Sequence, residues 1–314
     1  MMLRAAFVLL VGLSWPPSAQ AHWPGIPDGF SAEAGSSAAG QPDRLSEVAF
    51  RILVTNAEIC GRHTAWTVGM HAAVPDPIDA WSPAAESGAY PTVVSLIAGS
   101  PALESGLRVG DRIRALDNED LPSGYPGADL LSHLLHENQG EVLHLAVDRG
   151  GVRHEVAVRP RRVCAYDVAL FENDAANALA QENRVVLTTG MLDMLARDDD
   201  VAVVLAHEVA HIAAGHTTHG RYAQDAEPEA DYLGVFLAAR AGYDVSGAAD
   251  LLQRIAAARA GYYGQGGAAG IDARLRAIRA AVTEVAAQRA AGKVVGLPVW
   301  QSLNGDWPSE SASD

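Results

Sequence analysis

Apolar residues at positions 45, 48, 49, 52, 53 and 57 recur at helical spacing behind Asp43, which predicts one amphipathic helix from 42 that ends near Cys60 and Gly61. From 65 to about 160 the period becomes that of strands. Short runs fall at 92–97, 112–116, 142–147 and 154–158, with Gly150 and Gly151 as the turn of a closing hairpin. One helical run, 128–135, interrupts them. From 161 the pattern is mostly helical: a short helix at 174–180, a strand at 184–188, and helices at 191–196, 200–214, 228–241, 245–260 and 272–291. The expectation is an α+β protein, a mostly helical domain with a small edge sheet into which a β-rich domain is inserted. Its parts are the helix segment 42–64, the insertion 65–160 and the main domain 161–291.

The ends read differently. Arg4 precedes an apolar run from 5 to 15, and Ser18, Ala19, Gln20 and Ala21 supply the small-x-small pattern of a cleavage site, so 1–21 reads as an export signal. A run of about a dozen apolar residues is too short for a bilayer, which needs about twenty. No later segment approaches that length without charges, so no integral membrane segment is expected in the mature protein, and the periplasm or the exterior is the expected location. Residues 22–41 form a leader rich in Gly, Pro, Ser and Ala, and 292–314 a tail.

The formal charge of -15, with no Lys/Arg cluster, excludes a surface built for nucleic acid or anionic lipid. Export also bears on the two cysteines, Cys60 and Cys164, which flank the insertion and are expected to form one disulfide in an oxidising compartment. Closing a loop of about a hundred residues contributes about 4 to 5 kcal/mol in the chain-entropy model.

The chemistry concentrates at 201–216, a run apolar on nearly every side and therefore buried, with ionisable residues in its middle. His207 and His211, four apart, lie on one helix face, where both imidazoles reach a single ion. With Glu208 between them they form His-Glu-x-x-His, in which the histidines bind Zn(II), one per chain, and the glutamate is general base toward water. A catalytic zinc needs a third protein ligand. The metzincin pattern is excluded because Ala214 and Thr217 stand where its glycine and third histidine belong, which leaves His216 and His219 as bystanders or rim residues. Glu227 and Glu229, at the start of the next helix, are the remaining candidates.

Two resemblances extend this reading. Gly99 to Ala102, followed by Ser105-Gly106-Leu107-Arg108-Val109-Gly110-Asp111-Arg112-Ile113, resembles the bacterial PDZ family over about ninety residues. It implies a domain that binds an extended peptide, often the carboxyl end of a polypeptide, between a strand and a helix. The strand 92–97 and the helix 128–135 are the expected groove. The motif at 207–211 with Glu227 and Asp231, which match a second motif Glu-x-x-x-Asp, resembles the HtpX-like and CAAX-prenyl-protease-like zinc peptidases, metallopeptidase family forty-eight, gluzincins. This resemblance covers about 160–260 and the first helix, and it implies Glu227 as third ligand, Asp231 as support for a ligand, and peptide-bond hydrolysis. A departure is the absence, in 264–270, of the His-Pro segment many relatives carry before the last helix, and with it any rim role for that segment.

The reaction expected is hydrolysis of polypeptide substrates lying extended along the edge strand 184–188, with His216, His219, Arg221 and Tyr222 as candidates for the transition-state donor. The inserted domain would recruit or sense substrate. A chaperone or adaptor retaining the peptidase fold, or a zinc amidase of the cell wall, are the alternatives.

Overall fold

The computed structural model describes residues 41–74, 89–217, 226–258 and 267–298. The expected signal 1–21, nearly all of the leader 22–41, the tail beyond 298, most of the segment before the last helix, and His219, Arg221 and Tyr222 lie outside the described residues. The fold is α+β in two compact units. One joins 41–63 to everything described from 164 onward, and the other is formed by 64–163.

The first unit opens with α1 (Gln41–Thr55), whose apolar stripe of Leu45, Val48, Ala49, Ile52 and Leu53 is buried. The backbone then enters the second unit through β1 (Thr64–Thr67), β2 (Met70–Ala73), β3 (Thr92–Leu96), α2 (Pro101–Glu104), β4 (Arg112–Leu116), β5 (Glu119–Asp120), α3 (Tyr125–Glu137), β6 (Leu143–Arg149), β7 (Val152–Val158) and β8 (Arg161–Cys164). An antiparallel sheet in the order β2-β3-β4-β6-β7, with β5 beside β4, packs its apolar face on α2 and α3 around Val93, Ile113, Leu131, Leu145 and Val147. Gly150 and Gly151, at φ of 60° and 83°, make the two-residue turn joining Arg149 to its partner Val152. The unit is PDZ-like in its elements.

The groove expected at 92–97 does not form there. β3 is hydrogen-bonded on one side to β2 and on the other to β4, so its backbone has no free edge for a peptide. Among the described strands the open edge next to it is β2, and a cleft of about 80 Å³ lies between Trp66, Val68 and Met70 on one side and Ser132, Leu135 and His136 of α3 on the other. Periodicity hid this edge because β1 and β2 are only four residues each.

The Gly-Asp turn of the PDZ-like string has a physical basis. The Asp111 side chain, 1% exposed, accepts from Arg108 N–H at 2.9 Å and from Arg149 Nε and Nη2, both at 2.7 Å, and the same Nη2 donates to Gly106 O at 2.9 Å. One carboxylate thereby ties the turn to the end of the neighbouring strand β6. Burial pushes the Asp111 carboxyl up, but the Arg149 guanidinium and the Arg108 amide outweigh it and hold it below its ordinary value.

Back in the first unit, Cys60 and Cys164 are disulfide-bonded with Cα atoms 5.5 Å apart, and Ala165 N donates to His63 O at 2.9 Å. The remaining elements are β9 (Asp167–Phe171), β10 (Ala178–Gln181), β11 (Arg184–Thr188), α4 (Thr189–Met194), α5 (Asp198–Ala213), α6 (Ala226–Arg240), α7 (Ala248–Ala258) and α8 (Gly267–Ala290). Two expectations are corrected here. The helix placed at 174–180 is a turn followed by β10: Asn173 Oδ1 accepts from Ala175 N–H at 2.8 Å, and pairing then starts at Ala178. The strand 184–188 is central, antiparallel to β10 and parallel to β9, and among the described strands β10 and β9 are the edges. Among the described residues no helix is long and apolar enough to cross a membrane.

Asp111→Ala is expected to lower the unfolding free energy of the inserted unit by about 2 kcal/mol, the loss of charge-assisted hydrogen bonds, as read by urea unfolding at pH 7. Because the folded carboxyl sits below its ordinary 3.8, its contribution is complete above that value and fades as pH falls through the folded one. The gap between parent and variant should therefore close in acid.

Candidate metal centre

Helix α5 is buried on almost every side, and Asp198, Asp199 and Asp200 in its first turn suit the positive end of its dipole. In its buried length sit Glu208, 8% exposed, and His211, 2% exposed. Helix α6 packs along it and presents Glu227 and Asp231, again four residues apart, toward the two histidines. Gly234 is what lets the helices approach. A Cβ at that position would lie 2.9 Å from both Cα and N of His207 and 3.2 Å from the carbonyl carbon of Ala206, contacts that backbone cannot yield cheaply.

The donor atoms converge. Nε2 of His207 and Nε2 of His211 are 3.0 Å apart, and the Glu227 carboxylate lies 3.6 Å from the first and 3.5 Å from the second. Zn–N and Zn–O distances of about 2.1 Å at a tetrahedral angle put donors about 3.4 Å from one another, so these three fit a zinc ion on spacing as well as on chemistry. They are the group of metal-ligating side chains found among the described residues. Glu229, the other carboxylate considered, faces elsewhere: its Oε2 is 3.5 Å from His216 Nε2.

The other nitrogen of each imidazole is also engaged. His207 Nδ1 is 2.9 Å from Asp231 Oδ1, an ion-pair distance, although the ring N–H is not aligned on the oxygen as in a good hydrogen bond. Asp231 is in turn gripped by Arg274 of α8, whose Nε and Nη2 donate to Oδ2 and Oδ1 at 2.7 and 3.0 Å, while Arg274 Nη1 reaches Glu227 Oε2 at 2.8 Å. One guanidinium thus braces two carboxylates. On the other side His211 Nδ1 is 3.1 Å from His216 Nδ1.

These contacts set the charge states. Burial opposes a proton on His207, but the Asp231 carboxylate outweighs it and the net shift is upward. Burial pushes Asp231 up, but His207 and Arg274 outweigh it and keep the carboxyl below its usual value. His211 is driven down to about 2, first by burial and then by His207 and His216, so it is neutral with a lone pair to give. Burial raises Glu229.

Sequence reasoning named His207, Glu208, His211, Glu227 and Asp231 but missed Arg274, 43 residues beyond Asp231, because nothing in helical periodicity pairs side chains across such a gap. It also took His216 for a bystander, whereas it is buried against His211.

Comparison with known proteins bears on the same stretch. Residues 143–225 match the model of Peptidase family M48. A protease HtpX homologue of Bordetella petrii is 40% identical over 76 residues, 24% of this chain and 23% of the relative. That of Bordetella pertussis is 34% identical over 109 residues, 34% of this chain and 33% of the relative. The protein therefore spans about a third or less of the length of these curated relatives. Among solved structures, the crystal structure of the HtrA3 PDZ domain bound to a phage-derived ligand is similar over 32% of this chain and 89% of that one, at 20% identity and a TM-score of 0.25.

Two substitutions probe the packing of the site. Gly234→Ala should weaken zinc binding by about tenfold, as measured by chelator competition, because α6 must move off His207 and carry Glu227 with it. Arg274→Leu leaves the Asp231 carboxylate buried without its charge partner and should cost about 3 kcal/mol in chemical unfolding.

Proposed function

We propose that this protein, which is HtpX-like and matches Peptidase family M48 over residues 143–225, the stretch that carries His207, Glu208 and His211, is an exported zinc-dependent endopeptidase. The observation that carries the reading is the convergence of donor atoms of His207, His211 and Glu227 to within 3.0–3.6 Å of one another, with Glu208 next to His207 on α5. In this reading the first three hold one Zn(II), and Asp231 orients His207. When bound, the ion lowers the pKa of water and polarises the scissile carbonyl. Glu208 takes the proton of the attacking water and passes it to the leaving amine.

The substrate would lie as an added strand along β10, which packs on α5 and stands at the edge of its sheet among the described strands, since β11 is paired on both sides. Of the candidates for a transition-state donor, His216 is engaged by His211 and Glu229, which argues against that role for it. The PDZ-like unit would take an extended C-terminal peptide along β2, beside its cleft, and so recruit or sense substrate. Residues 1–21 would direct export to the periplasm.

Zinc content and casein hydrolysis, measured on the protein starting at His22 and on its Glu208→Gln variant, test the reading. Zinc in both with cleavage by the parent alone is expected, with activity lost by at least about a thousandfold in the variant. Zinc in both with cleavage by neither would point to a chaperone or adaptor, and no zinc in either would sink the reading.

A further inference from the structure

Helix α5 ends in a way that bears on the metal centre. Gly215, at φ 75°, takes the left-handed conformation past the last helical turn. Its N–H donates to Ile212 O at 3.0 Å, and the N–H of His216 donates to His211 O at 2.9 Å. These two bonds are the Schellman arrangement, which folds the residue after the glycine back over the residue five positions earlier. Here those residues are His216 and His211. The ring of His216, 8% exposed, accordingly stands on the ring of His211 with centroids 5.1 Å apart and planes at 70°.

The contact joins the two Nδ1 atoms at 3.1 Å, and this constrains where the protons are. One nitrogen must carry hydrogen and the other a lone pair, because two N–H groups would repel and two lone pairs would make no bond. A His211 that ligates through Nε2 carries its proton on Nδ1, so His216 Nδ1 must accept. The proton of a neutral His216 then sits on Nε2, and Nε2 faces Glu229 Oε2 at 3.5 Å. The order runs from Glu229 through His216 to His211, the first step a contact at ion-pair range and the second at hydrogen-bond distance.

We infer that His216, backed by Glu229, is the positioning residue for the ligand His211, the counterpart of what Asp231 and Arg274 do for His207. The inference rests on the proposed metal site. It gives a use to a buried imidazole and a carboxylate that the proposed reaction leaves idle. Each histidine ligand is then held from behind by a carboxylate of α6: His207 by Asp231 directly, and His211 by Glu229 through an intervening ring.

The test is the zinc dissociation constant of the full mature protein, by chelator competition, for the parent, His216→Leu, His216→Asn and Glu229→Gln. Each metal-free protein is checked for folding by circular dichroism and thermal unfolding. Leucine removes the acceptor, whereas asparagine places its Oδ1 near the position of Nδ1. His216→Leu should weaken zinc about 10- to 100-fold, the usual scale for losing a partner behind a ligating histidine. His216→Asn should stay within a few-fold of the parent, and Glu229→Gln should show a smaller loss than leucine. The visible spectrum of the cobalt-loaded leucine variant should change, and that of the asparagine variant should match the parent.

Equal weakening by leucine and asparagine would reduce His216 to packing and overturn the inference, as would parental zinc affinity in the leucine variant. Should leucine not fold, parental affinity in Glu229→Gln together with strong weakening in His216→Asn would overturn it as well. A parent that binds no zinc would overturn the metal site itself and this inference with it, which separates the two failures.

Discussion

How near helix α6 can lie to helix α5 is the constraint on which the rest of the site depends. Side chains that meet across two helices must come from backbones close enough for short carboxylates to reach imidazole rings, and Asp231 has the shortest reach of any acidic side chain. Gly234 removes the one Cβ that would hold α6 away from the backbone of His207. Because side chains four apart share a face, one close approach serves two pairs at once: His207 with His211 on α5, and Glu227 with Asp231 on α6. A third helix closes the arrangement, since Arg274 of α8 touches both acidic residues of that pair.

Such a cluster is costly to bury unless every charged group finds a partner, and the structure supplies partners in layers. His207 and the guanidinium of Arg274 keep Asp231 ionised, Asp231 stands behind the ring of His207, and His216 stands behind the ring of His211. The outward-facing atoms, the two Nε2 and a carboxylate of Glu227, are left pointing at one another at spacings suited to an ion. The same logic recurs in the inserted unit, where Asp111 holds a turn to a strand through Arg149.

What could be read from the sequence depended on whether the partners were local. His207 and His211 are one helical turn apart, so spacing alone puts them on one face, whereas Glu227 and Asp231 came from the resemblance to a Glu-x-x-x-Asp motif, the residues themselves leaving Glu229 open as well. The β-rich insertion was legible from its change of period and from the glycines at 150 and 151. Strand neighbours were not: 92–97 and 184–188 read as edges, yet both are interior, because pairing is decided by short strands such as β2 and β10 that carry little periodic signal. Arg274 lay beyond reach because its partners are 43 and 47 positions away on another helix. His216 was visible as a residue, but only the positive φ of Gly215 turns it toward His211.

The disulfide has a mechanical meaning. Cys60 and Cys164 stand where the backbone leaves the first unit and where it returns, 104 residues later. The covalent path between α1 and β9 therefore runs through a sulfur bridge, with the inserted unit hanging from it as a side loop. Tension applied along the first unit would pass across the bridge and bypass the β-rich unit altogether.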